Sequence, residues 1–229
     1  TTYPRALLPY ENSVCRVTVD DGGGVQSHGS GVLLQQPPTY PQYRAYVLTA
    51  YHVVRDRKSE DITVTFDGTR LHSSRVAAAL PACDAAILLI AGTVEGIPRI
   101  PLAERDVQPG ELVYGFGFGS NDQLRSCGGK VYEFVSYSQQ DGTDAWFNFA
   151  GYFRDGDSGG PVFVVRDGIP LLIGNGFATH LDSDVGHYAV SANRVRVVRH
   201  MFGLERSTFP AVRQVQASPV RMTYSSGGS

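Results

Sequence analysis

Three side chains far apart in this chain carry complementary chemistry. Ser158 lies in GDSGGPVF (156–163), a hydroxyl set among glycines with a carboxylate in front of it. A hydroxyl attacks an amide near neutral pH only when a base takes its proton, a third group orients that base, and N–H donors meet the developing oxyanion. His52, in VLTAYHVV, fits the base: a β-rich run ends at Ala50, so the imidazole would emerge at a strand terminus. Asp84, in ACDAAILLI, opens a run so apolar that the strand behind it must be buried. A carboxylate there needs a partner, and an imidazole N–H supplies one while turning the other ring nitrogen toward the serine. Gly156 allows a tight turn in which its own N–H and that of Ser158 converge on one point, an oxyanion hole, and Gly159 and Gly160 would let a substrate backbone approach. Taken singly, Ser158 reads as part of a turn, His52 as a core or surface histidine and Asp84 as a strand cap. The weight comes from the three together.

Such a set needs a rigid frame, and the chain reads as all-β. Its 26 glycines and 13 prolines punctuate short runs rich in Val, Ile, Thr, Tyr and Phe. The spacing predicts six strands in the first half (13–19, 30–35, 45–50, 62–67, 71–79 and 84–90) and six in the second (112–118, 126–137, 145–150, 160–165, 170–178 and 187–191). Two sets of six imply two six-stranded antiparallel β-barrels, a closure that leaves few exposed edges. The expected boundaries are an N-terminal barrel over 12–95, a linker over 96–111, and a C-terminal barrel with its helix over 112–203. In SANRVRVVRHMFG, Ser191 is expected to cap that short helix, Val195, Val198 and Phe202 share one face, and Gly203 ends it. Residues 204–229, rich in Ser, Pro and Gly toward the end, read as a flexible tail.

Bulk composition narrows the partners. Twenty basic against 22 acidic side chains leave a formal charge of −2, too balanced for nucleic acid binding. No run is long and apolar enough for a membrane span and the first residues lack a signal-peptide pattern, so a soluble chain is expected, with a removed leader left open. Three cysteines, Cys15, Cys83 and Cys127, rule out a dense disulfide framework and are compatible with a reducing compartment. The cysteines read most simply as small buried apolar residues, with Cys83, beside Asp84, a position sensitive to bulky modification. Without CxxC, HxxxH or HExxH spacing, neither a metal nor another cofactor is expected. His28, His72, His180, His187 and His200 read as surface or loop residues, with His180 singled out for its place beside a pocket.

TAYHVV, DAAILLI and GDSGGPVF, in the order His, Asp, Ser, resemble the trypsin-like serine peptidases of the chymotrypsin fold, the PA clan. The likeness runs over about residues 12–203, and HGSGVLL, YVLTAYHVV, PLAERDVQPGELVYGFGFG and YAVSANRVRVVRHMF bring it near compact, disulfide-poor HtrA-like or viral-type protease domains. The resemblance implies His52 as general base, Asp84 as its orienter, Ser158 as nucleophile and the Gly156 and Ser158 amides as the oxyanion hole. It implies hydrolysis of peptide bonds in a protein or peptide substrate, through an acyl-enzyme. Activity is then expected to fall as His52 takes up a proton.

The chain departs from the secreted members in having no IVGG-like sequence to pair with Asp157; Arg154 and a backbone amide are the candidate partners. By position, Tyr152, Phe153 and Arg154 are expected to form one wall of the specificity pocket and Phe177, Ala178 and Thr179 the other. No aspartate stands where a pocket for Lys or Arg would carry one, so a small or apolar residue is expected there, with a polar or acidic one left open by Thr179 and His180. A catalytically silent binding or scaffold protein is the alternative, since a missing activation terminus could leave the oxyanion loop collapsed. An intracellular or viral setting, with release from a polyprotein, is one context for such a domain. GDSGG also satisfies G-x-S-x-G, with Asp182 or Asp184 and His187 following, but that nucleophile elbow needs a helix after the serine where Pro161 and VFVV read as a strand. In YGFGFGS the glycines lack dinucleotide spacing and read as barrel corners.

Overall fold

The computed structural model describes residues 3–35, 45–66, 68–91, 94–120, 122–136, 144–182, 187–204 and 213–214. Strands dominate it. In the first half they are β1 (Val14–Gly22), β2 (Val25–Leu33), β3 (Ala45–Thr49), β4 (Ile62–Phe66), β5 (Thr69–Leu80) and β6 (Ala85–Ile90). In the second they are β7 (Leu112–Gly117), β8 (Arg125–Ser136), β9 (Asp144–Ala150), β10 (Pro161–Arg166), β11 (Ile169–Asp182) and β12 (His187–Asn193). Each of the twelve expected runs overlaps one of these strands. A two-residue strand, β13 (Arg213–Gln214), pairs with Ala79 and Ala78 of β5. The rest of 205–229 lies outside the described residues, as does Asp184.

The second half is a closed barrel in the order β10-β11-β12-β9-β8-β7. The first half is a sheet in the order β13-β5-β4-β1-β2-β3-β6, in which β5 also pairs with β6. Alternation along the strands decides which core each side chain joins. Val47, Leu88 and Ile90 point into the N-terminal sheet's own cluster with Cys15, Val17, Ile62 and Phe66. Their neighbours Leu48, Ile87 and Leu89 join a second cluster that continues into the barrel through Phe116, Phe147, Phe163 and Leu172. That two-sided burial is why β3 and β6 read as unbroken apolar runs rather than alternating ones.

The segment between the halves is stitched to both. Leu34 bridges Ile100, and Leu102 bridges Leu172. Arg166 grips its end through Glu111 (Nε–Oε1 and Nη2–Oε2, both 3.0 Å) and donates to the carbonyls of Arg105 and Asp106 at 2.9 Å.

Short helical segments complete the described residues. A 3₁₀ stretch, Arg5–Ser13, packs Leu7 into the second cluster and was not legible as a period. Helix α1 (Tyr51–Val54) carries His52 and follows β3 directly. Helix α2 (Val195–Met201) begins later than expected: Ser191 is not its cap. Instead β12 runs on through Asn193, paired with Trp146, and Ser191 Oγ donates to Asn148 Oδ1 at 2.7 Å. The cap comes from a distant segment, because Asp106 Oδ1 accepts the Arg196 N–H (3.3 Å) and its Oδ2 meets Arg194 Nη2 at 2.9 Å. Val195 and Val198 are buried, Phe202 meets Tyr46 edge-on at 5.2 Å, and Gly203 (φ +68°) closes the helix end. No helix among the described residues is long and apolar enough to cross a membrane.

Candidate active site

The site is built on both halves, and each contributes what its local sequence dictates. Asp84 follows the turn Pro81–Cys83 and sits in the left-handed region (φ 50°, ψ 43°), which aspartate tolerates better than most residues. Its N–H donates to Pro81 O and its carbonyl accepts the Tyr51 N–H, both at 3.1 Å, which docks the start of α1 onto the start of β6. The carboxylate then clasps His52 twice. Oδ1 accepts the His52 backbone N–H at 2.7 Å, and Oδ2 lies 2.6 Å from Nδ1. A carboxylate accepts only, so Nδ1 carries the proton in this contact and Nε2 is left with its lone pair. The carboxylate is largely buried, at 21% exposure against 44% for the imidazole, so the ring is held on its inner edge and open on the outer one.

Behind the clasp stands a buried amide pair that sequence reasoning missed. Asn193 Nδ2 donates to Asn175 Oδ1 at 3.1 Å, and Asn175 Nδ2 reaches the Asp84 carbonyl at 3.5 Å. Both asparagines are fully buried. A lone Asn between glycines in LLIGNGFA was the signal available.

Ser158 lies across the seam, on the barrel. Its carbonyl accepts the Ser30 N–H of β2 at 2.7 Å. A Cβ placed on Gly29 would lie 3.0 Å from that same carbonyl and 2.6 Å from the side chain of Val53, next to His52. The Ser158 backbone and the His52 helix therefore flank one glycine. Gly159 and Gly160 serve the chain rather than a substrate: a Cβ on Gly159 would meet Thr49 Oγ1 and Ala50 N at 2.5 and 2.6 Å, and one on Gly160 would strike Phe116 O. The seam is backbone against backbone, and only glycine fits it. A strand, β10, begins at Pro161, so the elbow geometry of the G-x-S-x-G reading is absent.

Ahead of the serine, Asp157 N–H donates to Arg154 O at 2.9 Å, closing a four-residue turn with Gly156 at φ +90°. The buried Asp157 carboxylate (side chain 5% exposed) accepts from the Arg154 backbone N–H and from Arg125 Nη2, both at 2.8 Å. The backbone-amide candidate is thus present, but the cation is Arg125, not the Arg154 guanidinium, which lies 5.9 Å over the Tyr152 ring. Nothing in the sequence near Ser158 marked Arg125. The glycines of YGFGFGS make room for side chains around this loop. Gly115 gives room to the Phe153 ring, Gly117 to Asp157 and Gly119 to the Arg125 guanidinium.

The two expected pocket walls meet. Phe153 is buried at 6% exposure, its N–H donates to Thr179 Oγ1 at 2.9 Å, and its ring lies where Gly176 lacks a side chain. Tyr152 is exposed, and its ring packs at a tilt against that of Tyr188, centroids 4.8 Å apart. Phe177 meets Trp146 edge-on at 5.7 Å, and Ala178 and His180 are exposed. Side chains of His72 and His187 lie outside the described residues.

An imidazole oriented by a carboxylate, a serine in a glycine-lined seam and a turn with positive φ before it thus stand on one β frame. Residues 29–169 match the trypsin-like peptidase domain, and the chain belongs to that family. No curated protein sequence matches it. Among solved structures, the active form of the Rv3671c protease from M. tuberculosis is similar at TM-score 0.66 and 18% identity, over 90% of this chain and 86% of that one. Its inactive form gives 0.64 and 19%, over 87% and 91%. The serine endoprotease from Yersinia pestis gives 0.65 and 18%, over 89% of this chain and 66% of that one. At these identities the likeness is one of fold.

Proposed function

We propose that this protein is a serine endopeptidase that hydrolyses peptide bonds through an acyl-enzyme. The observation that carries the reading is the double clasp of His52 by Asp84, which fixes the ring with Nε2 free to accept a proton. In the first step Nε2 takes the Ser158 hydroxyl proton as Oγ bonds to the scissile carbonyl carbon. The Gly156 and Ser158 N–H groups meet the oxyanion, and the imidazolium then gives its proton to the departing amine. Water, deprotonated by the same nitrogen, attacks the ester, and the acid product leaves with Ser158 restored. The β5–β6 pairing supports closure of the first sheet into a barrel as well, so that the reacting groups stand between two cylinders.

Tyr152, Phe153 and Arg154 on one side and Phe177, Ala178 and Thr179 on the other form the pocket before the scissile bond. With the Phe153 ring turned into the core and its N–H tied to Thr179, the floor is high. A small apolar residue is the preferred occupant. The silent-scaffold reading drew on an oxyanion loop without an activation terminus; the Arg125–Asp157 pair, which holds the turn before Ser158, supports the active reading instead.

A fluorophosphonate probe tests the proposal. Wild-type protein is labelled once, at Ser158, and cleaves members of a peptide library; Ser158→Ala, with an unchanged circular dichroism spectrum, does neither. Cleavage by folded Ser158→Ala would refute it.

A further inference from the structure

We infer that Ser30 is a positioning residue that ties the oxyanion loop to the half of the molecule carrying the base. The inference rests on the reading of Ser158 as nucleophile. Ser30 is fully buried in β2, and each of its polar groups is engaged across the seam or beside it. Its N–H donates to the Ser158 carbonyl at 2.7 Å. Its hydroxyl donates to the Gly156 carbonyl at 2.8 Å and accepts the Phe118 N–H at 2.8 Å. Its own carbonyl accepts from Thr49 Oγ1 at 2.7 Å, at the end of the strand that leads into the His52 helix.

Two of these bonds end on the two residues whose N–H groups face the oxyanion. Gly156 is the pivot of the loop: turning its N–H away means flipping the Asp155–Gly156 peptide, a rotation that its positive φ reports and that glycine resists least. With the Gly156 and Ser158 carbonyls both held by one serine, the peptide planes after that pivot are fixed. Arg125 steadies the same loop through Asp157, but Arg125 belongs to the barrel and cannot set the loop's place relative to His52. Ser30 can, because it stands on the N-terminal sheet with the base. Only a hydroxyl of this size both donates to Gly156 and accepts from Phe118. Alanine would leave a buried carbonyl and a buried N–H without partners.

Ser30→Ala tests this against wild type, on a reporter peptide that the wild-type protein selects from a library. The expected result is a fall in kcat of about tenfold or more, short of the 10²–10³ for outright loss of an oxyanion donor, with KM within about twofold. The fluorophosphonate labelling rate falls in step, and the pH at which activity is lost in acid does not move, because His52 and Asp84 are untouched. Ser30→Cys, a weaker donor, falls between the two, and it decides the matter if the alanine variant does not fold. Wild-type kcat in the Ser30→Ala protein, or in Ser30→Cys where alanine fails to fold, overturns the inference, as does a loss carried by KM. A wild-type protein that neither labels nor cleaves removes the nucleophile reading and this inference with it. A wild-type protein that labels, beside a Ser30→Ala protein labelled equally fast, removes this inference alone.

Discussion

His52 is set by one carboxylate reached at two points, a backbone N–H and a ring nitrogen. Replacing Asp84 with Asn keeps the shape but offers an amide that can favour the wrong ring tautomer. The expected loss in kcat is about 10³–10⁴-fold with little change in fold, checked by kinetics beside circular dichroism. The thiols are quiet by contrast. Burial pushes Cys83 up to about 12 and Cys127 up to about 11, and Cys15 higher still. At about pH 8 the thiolate fraction is then on the order of 10⁻³ or less. Iodoacetamide should leave all three unmodified in the native protein and alkylate all three after unfolding, counted by mass spectrometry. Cys15 and Cys83 are fully buried, as expected of small apolar residues, Cys83 in the cluster behind Asp84.

At the scale of elements, the loop before Ser158 depends on β8, because Arg125 at its start meets Asp157. Arg125→Met leaves a buried carboxylate without its cation. A stability loss of about 3 kcal/mol is expected by urea denaturation, and kcat falls because the turn at Gly156 loosens. The linker offers a second case. Burial pushes the Glu111 carboxyl up, but the hydrogen bonds from Arg166 and the Gln108 N–H outweigh it and hold the group below its usual range. A depressed folded value stabilises above the unfolded pKa of about 4.3 and is lost as pH falls through the folded value. Glu111→Gln should therefore cost about 1 kcal/mol at neutral pH and almost nothing in strong acid. Urea midpoints for the two proteins that stay equally far apart at both pH values would refute this.

For the whole molecule, the two halves share a cluster that runs from Leu48 and Ile87 through Ile100 and Leu102 to Phe116 and Phe163. Neither half owns that core. Unfolding is expected as one transition, with far-ultraviolet circular dichroism and the fluorescence of Trp146, on β9, coinciding in urea; two separated transitions would show that each half folds alone. The proposed catalytic groups follow the same division, since His52 and Asp84 stand on the sheet and Ser158 on the barrel. Holding the halves in register is thus a condition for the chemistry as well as for stability.

Short-range pattern alone determined much of this. Twelve strands were legible because alternation, apolar runs and glycine or proline breaks are local properties, and the three reactive residues because each sits in a short motif with its own chemical logic. What stayed hidden was every partnership made across the chain. Ser191 looked like a cap, but strand pairing to Asn148 and Trp146 claims that stretch, and Asp106 caps the helix from far away. Nothing local names the partners of Arg125, Asn175 and Ser30, since a side chain's donor can come from any segment that the fold brings within 3 Å. The sequence by itself determined the elements and pointed to the candidate reactive groups. Only the tertiary structure decided which buried polar group answers which, because desolvation demands a partner for each and chain order does not name it.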